Sequence, residues 1–433
     1  MSLQQVKSAW HMVIVYFIVV CLSTAMPVGA TAQQRVELTF LSYFAVHNPE
    51  LAERVIDDFN TSQDRIRVTL QISPGVSSPG HAEQILVRTA AGVAPDIFDV
   101  HPAQFYEFMR RGMFYDLTSV LRQDKAFNLE DFHPSVLESV KLDGRLYALP
   151  QRISMYVLFY NADLFAEAGL TPPSPLWNDP NWNWDAFRTA ARVPRVDLDG
   201  DGIVDRSGAG ISSTVNEKFL PFLWQAGGDI FDPDYTALTL DTPEAFQAIE
   251  YVRSGYQEGV FRTGGVTQLV GGAVAMAVDI PPTIRLLREN AIFDWDVAAL
   301  PIGPKGAATT IQPIPHGISA FTRYPAEAIE FFKYFHSAKV GVLEAQHGIH
   351  LQPRRSVVTS KAFADNPPPR NVQSFLYALD VARPIPDKNL NFSEIMRMVN
   401  RALSPVWRGE EDPRSAVASV KDAVASLLQE GKQ

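Results

Sequence analysis

A cluster of aspartates offers the most specific chemistry in the sequence. In the run DLDGDGIVD, Asp197, Asp199 and Asp201 alternate along the chain, and Asp205 follows. Carboxylates at alternate positions, with glycines that permit a sharp turn, are what an oxygen-coordinated Ca²⁺ loop requires. The twelfth position of such a loop is Gly208, where a bidentate glutamate is expected. The segment predicts either a structural Ca²⁺ site completed by a ligand from elsewhere or an Asp/Gly-rich surface turn.

Strands and helices alternate around the residues that could form a binding pocket. Arg35 precedes a first strand, VELTFLSYF, and the runs Ile66–Ile72 and Ala94–Val100 predict two more strands. Apolar residues at helical spacing predict a helix over Glu50–Asn60. This alternation indicates a mainly parallel sheet that binds ligands at the carboxyl ends of its strands. The polar residues at these strand ends are candidate pocket residues: His47, Asp99, His101 and Gln104.

A second α/β unit begins in the middle of the chain. A short strand, Leu146–Leu149, stops at Pro150, and the polar residues Gln151–Ser154 follow. The continuous apolar run Met155–Tyr160 predicts a buried strand, and Asn161 caps the helix after it. The pattern predicts a crossing from one lobe into another, with one continuous kinked sheet as the alternative.

Length and charge limit the classes of function. A chain of 433 residues with 46% hydrophobic and 20% charged residues is typical of a folded protein with at least two domains. The formal net charge is −10 and no basic run occurs, so nucleic acid is not an expected partner.

The N-terminus resembles a secretory signal peptide, residues 1–32. Met12–Leu22 is an apolar core, and Ala30-Thr31-Ala32 is a small-residue cleavage site. The alternatives are an uncleaved anchor, although the run is shorter than the roughly 20 residues a span needs, and a lipoprotein at Cys21, which the bulky Val20 disfavours. Cleavage would remove the only cysteine, leave no disulfide, and place the protein in a bacterial periplasm.

The order of several motifs resembles a known family. The motifs are A-P-D-I-F-D-V at 94–100, F-x-x-x-G-M-F-x-D-L at 108–117, G-R-L-Y-A-L-P at 144–150, W-N-W-D-A-F at 182–187 and Q-A-G-G at 225–228. In this order they are similar to family 1 of the bacterial extracellular solute-binding proteins of ABC importers. The resemblance is to the sugar- and oligosaccharide-binding branch, with maltodextrin-binding protein as a distant member.

The resemblance implies a two-lobed α/β fold of the periplasmic-binding-protein type, class II-like, in which each lobe is a mainly parallel sheet flanked by helices. A hinge is implied by chain crossings near Pro150, Pro313 and Gln352. The implied lobes are 33–150 plus about 315–345 for the first, and 151–312 plus about 353–433, with the C-terminal helices, for the second.

Strand ends also supply polar candidates on the opposing side of the pocket or at a crossing: Asn216, Asp279 and Arg354. The resemblance implies a ligand contact at Asp279, which follows the segment GGAVAMAV. Sugar rings stack their apolar C–H faces on aromatic side chains. Tyr43, Tyr156 and Trp224 are the aromatic candidates, and burial in the core is an equally good interpretation of each one.

Two departures from the family pattern argue against maltodextrin as the ligand. Val100 stands where maltodextrin-like members have a tryptophan. Ile280-Pro281-Pro282 replaces a frequent G-x-W, which removes a second stacking tryptophan.

The predicted function is that of a monomeric substrate-binding component of an ABC import system. It would bind a carbohydrate, whether a mono- or oligosaccharide or a polyol, close around it, and dock on membrane permease subunits. No G-x-S-x-G, H-E-x-x-H or P-loop motif occurs, so an enzyme is not expected and no cofactor is required. The alternatives are a secreted carbohydrate-active enzyme with a carboxylate pair and the same fold with a non-sugar ligand such as a phosphorylated polyol.

Overall fold

The computed structural model describes residues 35–73, 78–197, 199–202, 204–347, 351–361 and 369–431. The predicted signal segment and the side chain of His47 lie outside this description. The strands are β1 (Val36–Ser42), β2 (Ile66–Ile72), β3 (Ile97–Asp99), β4 (Lys141–Leu142), β5 (Arg145–Leu146), β6 (Leu149–Met155), β7 (Val157–Asn161), β8 (Ser207–Gly210), β9 (Phe261–Arg262), β10 (Val274–Asp279), β11 (Trp295–Ala298), β12 (Thr309–Ile318) and β13 (Ala382–Pro384).

Helices connect these strands. In chain order they are α1 (Pro49–Ser62), α2 (Ser78–Ala90), α3 (Pro102–Arg110), α4 (Thr118–Gln123), α5 (Pro134–Glu138), α6 (Ala162–Glu167), α7 (Trp184–Arg192), α8 (Leu220–Ala226), α9 (Pro243–Gln257), α10 (Val266–Val270), α11 (Ile284–Asn290), α12 (Pro325–Phe335), α13 (Ala338–Gln346), α14 (Arg355–Val358), α15 (Gln373–Val381), α16 (Phe392–Trp407) and α17 (Pro413–Glu430). Short 3₁₀ turns span Phe44–His47, Leu129–Asp131 and Pro281–Thr283. Among the described helices, none is both long and apolar enough to cross a membrane.

Helix α1 shows how the apolar pattern of the sequence becomes structure. Its buried side chains include Leu51, Val55 and Phe59, which repeat at helical spacing and pack into the core. Asn48 caps the helix, since its side chain accepts a hydrogen bond from Leu51 N at 3.2 Å. The helix predicted over Glu50–Asn60 is confirmed.

The first sheet has the order β13-β12-β3-β1-β2, and β6 pairs with β12 outside this order. Strand β1 lies parallel to β2 and β3, as the alternation of strands and helices predicts. Strand β12 runs antiparallel to both β3 and β6. The carboxyl ends of β1 and β3 therefore open at one edge of the sheet, where the helices that follow them begin.

The second sheet has the order β11-β7-β10-β8-β9. Strand β8 is parallel to β9 and β10, whereas β7 is antiparallel to β10 and β11, so this sheet is mixed. The two sheets with their covering helices form the two α/β lobes predicted from the sequence.

The chain passes from the first sheet to the second through a single residue, Tyr156. Strand β6 belongs to the first sheet and ends at Met155, whereas β7 begins at Val157 in the second sheet. The lobe boundary expected at Pro150 therefore falls inside a strand of the first lobe. The expected polar gap, Gln151–Ser154, is part of that strand because it pairs with β12.

The return to the first lobe also comes earlier than the sequence suggests. All of β12 from Thr309 belongs to the first sheet, whereas the crossing was expected near Pro313. Leu351, close to the third expected crossing, forms an isolated bridge with Ile153 of β6.

The C-terminal segment divides between the lobes. Strand β13, which was expected in the second lobe, pairs with β12 in the first sheet. The C-terminal helix α16 packs on the second lobe, where Asn400 Oδ1 accepts a hydrogen bond from Val215 N at 2.7 Å. Contacts between residues that are far apart in the sequence determine which lobe each C-terminal element joins.

Candidate ligand-binding cleft

Cavities follow the line along which the two lobes meet. A larger one of about 340 Å³ and a smaller one of about 200 Å³ share the lining residues His101, Pro102 and Gln312. A narrow space of about 30 Å³ also touches Pro102 and Gln312. Ligand pockets are concave spaces of about 300–1,000 Å³ with mostly apolar walls and a few polar groups. We define these connected spaces as the cleft, its parts being the larger chamber and the smaller chamber.

The first lobe contributes the start of helix α3 to the cleft. His101 is the N-cap of this helix, with Nδ1 accepting a hydrogen bond from Ala103 N at 3.2 Å, and Pro102 occupies the first helical position. The ring of Phe44 stacks on His101 with ring centroids 6.2 Å apart. Burial lowers the pKa of His101, and the nearby carboxylate of Glu217 opposes this shift. The imidazole is therefore neutral at pH 7, and since Nδ1 accepts from Ala103 N, Nε2 carries the proton and can donate a hydrogen bond.

The floor of the larger chamber comes from the paired strands that join the lobes. Gln312 on β12 is the register partner of Ser154 on β6, and both residues line this chamber. Pro313 and Ile314 add apolar surface beside them. The floor therefore combines an amide and a hydroxyl group with apolar side chains.

The second lobe supplies the opposite wall. Ile280 and Pro282 line the larger chamber, together with Arg285, whose Nε donates to Glu289 Oε1 at 2.7 Å. In the smaller chamber the wall contains Asn216 and Glu217, which precede helix α8. The remaining lining residues of the smaller chamber are Ala103, Val215, Leu220, Ile230, Ile385, Asp387, Phe392, Met396 and Asn400.

Asp387 is the most perturbed acid in the cleft. Removal from water raises the pKa of its carboxyl to about 7, while the charge of Lys388 acts in the opposite direction. Asp387 therefore exists as a mixture of acid and carboxylate at neutral pH, so it can donate or accept a hydrogen bond toward the smaller chamber.

Two of the predicted pocket residues meet in the cleft. His101 from the first lobe and Asn216 from the second both line the smaller chamber. The side-chain oxygen of Asn216 also accepts hydrogen bonds from Lys218 N at 3.0 Å and Phe219 N at 3.3 Å, which fixes the start of helix α8.

Asp99 lies in the core of the first lobe and not in the cleft. It accepts hydrogen bonds from Ser42 Oγ and from Tyr43 N, the latter at 2.8 Å. His81 Nε2 and His316 Nε2 lie 3.5 and 3.6 Å from its two carboxylate oxygens. The side chain of Tyr43 is half-buried against His81, so neither predicted contact lines the described chambers.

Asp279 contacts two other segments of the second lobe. Its Oδ2 accepts a hydrogen bond from Val266 N at 2.9 Å, at the start of helix α10, and lies 3.3 Å from Lys218 Nζ. Tyr156 is the buried residue that connects β6 to β7, and burial strongly raises the pKa of its phenol. The structure thus places both predicted contacts in the packing behind the cleft wall.

Trp224 and Gln104 also lie outside the lining of the described chambers. Trp224 Nε1 donates to Asp229 Oδ1 at 3.1 Å, and the guanidinium of Arg383 lies 4.6 Å from the centre of the indole. Gln104 is on helix α3, and its Oε1 is buried without a hydrogen-bond donor among the described residues.

Arg354 is an internal connection of the first lobe. Its guanidinium lies 4.7 and 4.4 Å from the ring centres of Phe127 and Phe132. It donates to His336 O at 2.7 Å and to Asp131 Oδ2 at 3.1 Å. Since these contacts occupy the guanidinium, a role for Arg354 in ligand binding has no support in the geometry.

The aspartate loop has a compact arrangement. Asp197, Asp199 and Asp205 each offer one carboxylate oxygen within 4.8 Å of the others. Asp197 also accepts hydrogen bonds from Gly200 N at 2.7 Å and Gly202 N at 2.8 Å, which lower the pKa of its carboxyl. These hydrogen bonds are typical of a tight aspartate turn. Ca²⁺ binding by the loop, including a contribution from Asp201, stays a prediction.

Several lining residues were missed by sequence reasoning. Gln312 lies just before the expected crossing at Pro313, and Glu217 is next to the predicted Asn216, so both had a signal nearby. Phe44 follows the predicted Tyr43. Asp387 had no local signal, because the packing of the C-terminal segment alone brings it to the cleft.

Comparison with known proteins agrees with this architecture. The family model for bacterial extracellular solute-binding proteins matches residues 48–342, more than half of the chain. The chain therefore belongs to the bacterial extracellular solute-binding protein family.

Individual relatives are distant. A binding protein of Brucella abortus (strain 2308) is 26% identical over 288 residues, which cover 64% of this chain and 65% of that protein. This chain thus spans just under two thirds of that relative's length. The multiple sugar-binding protein of Streptococcus mutans is 25% identical over 309 residues, covering 66% and 68% of the two chains.

Among solved structures, the cyclic alpha-maltosyl-1,6-maltose binding protein of Arthrobacter globiformis superposes with a TM-score of 0.78 at 21% identity. The superposition covers 92% of this chain and all of that chain. The likeness shows a shared two-lobed fold.

Proposed function

We propose that this chain is the substrate-binding component of an ABC import system, which captures a carbohydrate between its lobes and delivers it to a membrane permease. The observation that carries the proposal is the cleft itself, which residues of both lobes and of the connecting strands line together. Family membership and the sugar-binding names of its relatives support the same function. We propose that the protein acts as a monomer in the periplasm.

The chemistry of the lining fits a carbohydrate. Sugar rings present apolar C–H faces and hydroxyl groups that donate and accept hydrogen bonds. Phe44, Ile280 and Pro282 provide apolar surface, while Ser154 and Gln312 provide hydrogen-bonding groups. A ligand that contacts both walls binds the closed arrangement of the lobes more tightly than an open one and so shifts the population toward closure.

A phosphorylated ligand fits less well. Arg354 is paired with Asp131, and Arg152 is buried with its NH2 3.2 Å from Glu344 Oε1, so neither is directed to the cleft. Glu217 and Asp387 are acidic members of the smaller chamber. Arg285 is the arginine in the described lining of the larger chamber, and its Nε is paired with Glu289 Oε1 at 2.7 Å. An uncharged ligand needs no free counterion and avoids repulsion by the two acidic side chains.

The enzyme alternative has one specific observation in its favour. Glu217 and Asp387 line the same chamber, and a carboxyl group with a pKa of about 7 is suited to general acid catalysis. Product analysis separates the two functions, because a binding protein returns its ligand unchanged.

The test is calorimetric titration of residues 33–433 with mono- and oligosaccharides and polyols, followed by chromatography of the recovered ligand. We expect saturable binding without product. Replacing Gln312 with alanine should weaken binding about tenfold, whereas the same change at the exposed Gln123 should leave it unaltered. Formation of product would favour the enzyme, and no binding across the panel would contradict a carbohydrate ligand.

A further inference from the structure

The cleft is divided into two compartments. The larger and smaller chambers have His101, Pro102 and Gln312 in common, and their other lining residues differ. The start of helix α3 approaches from the first lobe, and Gln312 rises from β12, so these three side chains form the boundary between the compartments. A ligand that fills the cleft must therefore pass this boundary.

Each chamber has room for a ring. A cavity of about 150 Å³ is sufficient to bind benzene, a single six-membered ring. The smaller chamber, about 200 Å³, holds one ring with its substituents. The larger chamber, about 340 Å³, has space for a ring and for the groups that extend from it. The narrow third space, about 30 Å³, is too small for a ring.

The two chambers offer different contacts. In the larger chamber the aromatic face of Phe44 and the apolar side chains of Ile280 and Pro282 suit stacking against a ring face. In the smaller chamber Glu217 and Asp387 can accept hydrogen bonds from hydroxyl groups. The described lining of the smaller chamber contains no lysine or arginine, so an anionic substituent has no counterion there. In the larger chamber the guanidinium of Arg285 is already paired with the carboxylate of Glu289.

We propose that the cleft binds an uncharged carbohydrate through two adjacent rings, one in each chamber, with the linkage between them passing Gln312. This inference rests on the proposed function, since it names the class of carbohydrate that the cleft takes. The ring in the larger chamber stacks beside Phe44, and the ring in the smaller chamber directs its hydroxyl groups toward Glu217 and Asp387. A disaccharide unit is therefore the minimum ligand that uses both sets of contacts.

The test uses one variant for each chamber. Ala103 is exposed in the first turn of helix α3 and lines the smaller chamber, so Ala103→Phe fills that space while retaining the backbone N–H that His101 binds. Ala166→Phe, at an exposed alanine of helix α6 outside the lining of both chambers, is the matched control. Phe44→Ala removes the stacking surface of the larger chamber. The melting temperature of each variant shows whether the fold is retained.

Calorimetry then compares disaccharides with their constituent monosaccharides. We expect the best disaccharide to bind at least about tenfold more tightly than either constituent. Ala103→Phe and Phe44→Ala should each weaken disaccharide binding about tenfold, whereas a monosaccharide should respond to only one of them. Glu217→Gln, which preserves the shape of the side chain, should weaken the disaccharide even if Ala103→Phe fails to fold.

Three outcomes would overturn the inference. They are equal affinity for a monosaccharide and for every disaccharide, an identical response of both ligand classes to the two variants, or unaltered disaccharide binding in Glu217→Gln. In each of these cases carbohydrate binding, and with it the proposed function, would remain intact. Failure to bind any saccharide would instead contradict the proposed function.

Discussion

Met155 and Val157 belong to different sheets although only Tyr156 separates them along the chain. Met155 pairs with Ile311 of β12 in the first lobe, and Val157 pairs with Asp279 of β10 in the second. Tyr156 is buried at this passage, and its backbone carbonyl accepts a hydrogen bond from Thr309 Oγ1 at 2.6 Å. The packing around it therefore sets the relation between the two walls of the cleft.

A buried polar cluster supports the strand that leads to this passage. Glu344 accepts hydrogen bonds from Gln151 Nε2, from Arg152 NH2 at 3.2 Å and from Gln352 Nε2 at 3.0 Å. Glu344→Gln leaves the guanidinium of Arg152 buried without its counterion, so we expect the free energy of unfolding to fall by about 3 kcal/mol. Denaturant unfolding measures the loss, and Glu53→Gln, on the exposed face of helix α1, is the control. Equal stability of the two variants would contradict the role of the cluster.

Arg354 is expected to contribute to the stability of the fold and not to ligand affinity. Arg354→Lys keeps the positive charge but loses the planar guanidinium that lies against the rings of Phe127 and Phe132 and donates to several oxygen acceptors. We expect a loss of about 2 kcal/mol in the free energy of unfolding and an unaltered ligand affinity. Calorimetry under conditions in which the variant is folded checks the second part. A weakened affinity at full stability would restore Arg354 as a ligand contact.

The buried His316 makes stability depend on pH. Burial holds the pKa of His316 well below its usual value of 6.5, and the charges of His336 and Arg152 act in the same direction. The folded state therefore binds fewer protons than the unfolded state below about pH 6.5, so this contribution to stability is present above that pH and is lost as the pH falls. The acidic group that faces His316 is Asp99, at 3.6 Å.

The change His316→Phe removes this titration while it keeps a ring against Phe40 and Phe335. Between about pH 8 and pH 5.5 the variant should lose less free energy of unfolding than the wild type. The exposed His347 offers the control substitution, His347→Phe, which tests a histidine-to-phenylalanine change at the surface. Parallel pH profiles for wild type and His316→Phe would show that His316 does not carry the effect.

Asp387 changes the stability of the protein with pH in the opposite direction to His316. Its pKa of about 7 in the folded protein exceeds the ordinary value of 3.8, so the folded state binds more protons than the unfolded state between these values. Ionisation of this carboxyl above pH 7 therefore costs stability. We expect Asp387→Asn to be more stable than the wild type near pH 8 and the difference to shrink as the pH falls toward about 4. A difference that is independent of pH would contradict the raised pKa.

The spacing of apolar residues along the sequence was sufficient to predict individual helices and strands. Helix α1 follows from the apolar spacing of Leu51, Val55 and Phe59, and strand β7 follows from a continuous apolar run. Strand β6 was interpreted as a polar gap because Gln151 and Arg152 are polar. Their partner Glu344 is about 190 residues away, and no local pattern reveals it.

The candidate site could also be predicted only in part, because contacts between distant segments are not visible in the sequence. The sequence identified strand ends, which brought His101 and Asn216 into the prediction. It could not show the direction of each side chain. Asp99 is also at a strand end, but its carboxylate is directed into the core against Ser42 and His81. Asp387 depends on the packing of a segment that is more than 280 residues from His101 in the sequence.

The passage through Tyr156 limits how the lobes can move. A connection of one residue allows rotation about few backbone torsions, whereas a long linker would also permit sliding and separation. We therefore expect the lobes of the free protein to sample a narrow range of mutual orientations, so that little configurational entropy is lost when a ligand holds them together. We expect affinity in such a molecule to be adjustable from behind the cleft, through residues that never touch the ligand.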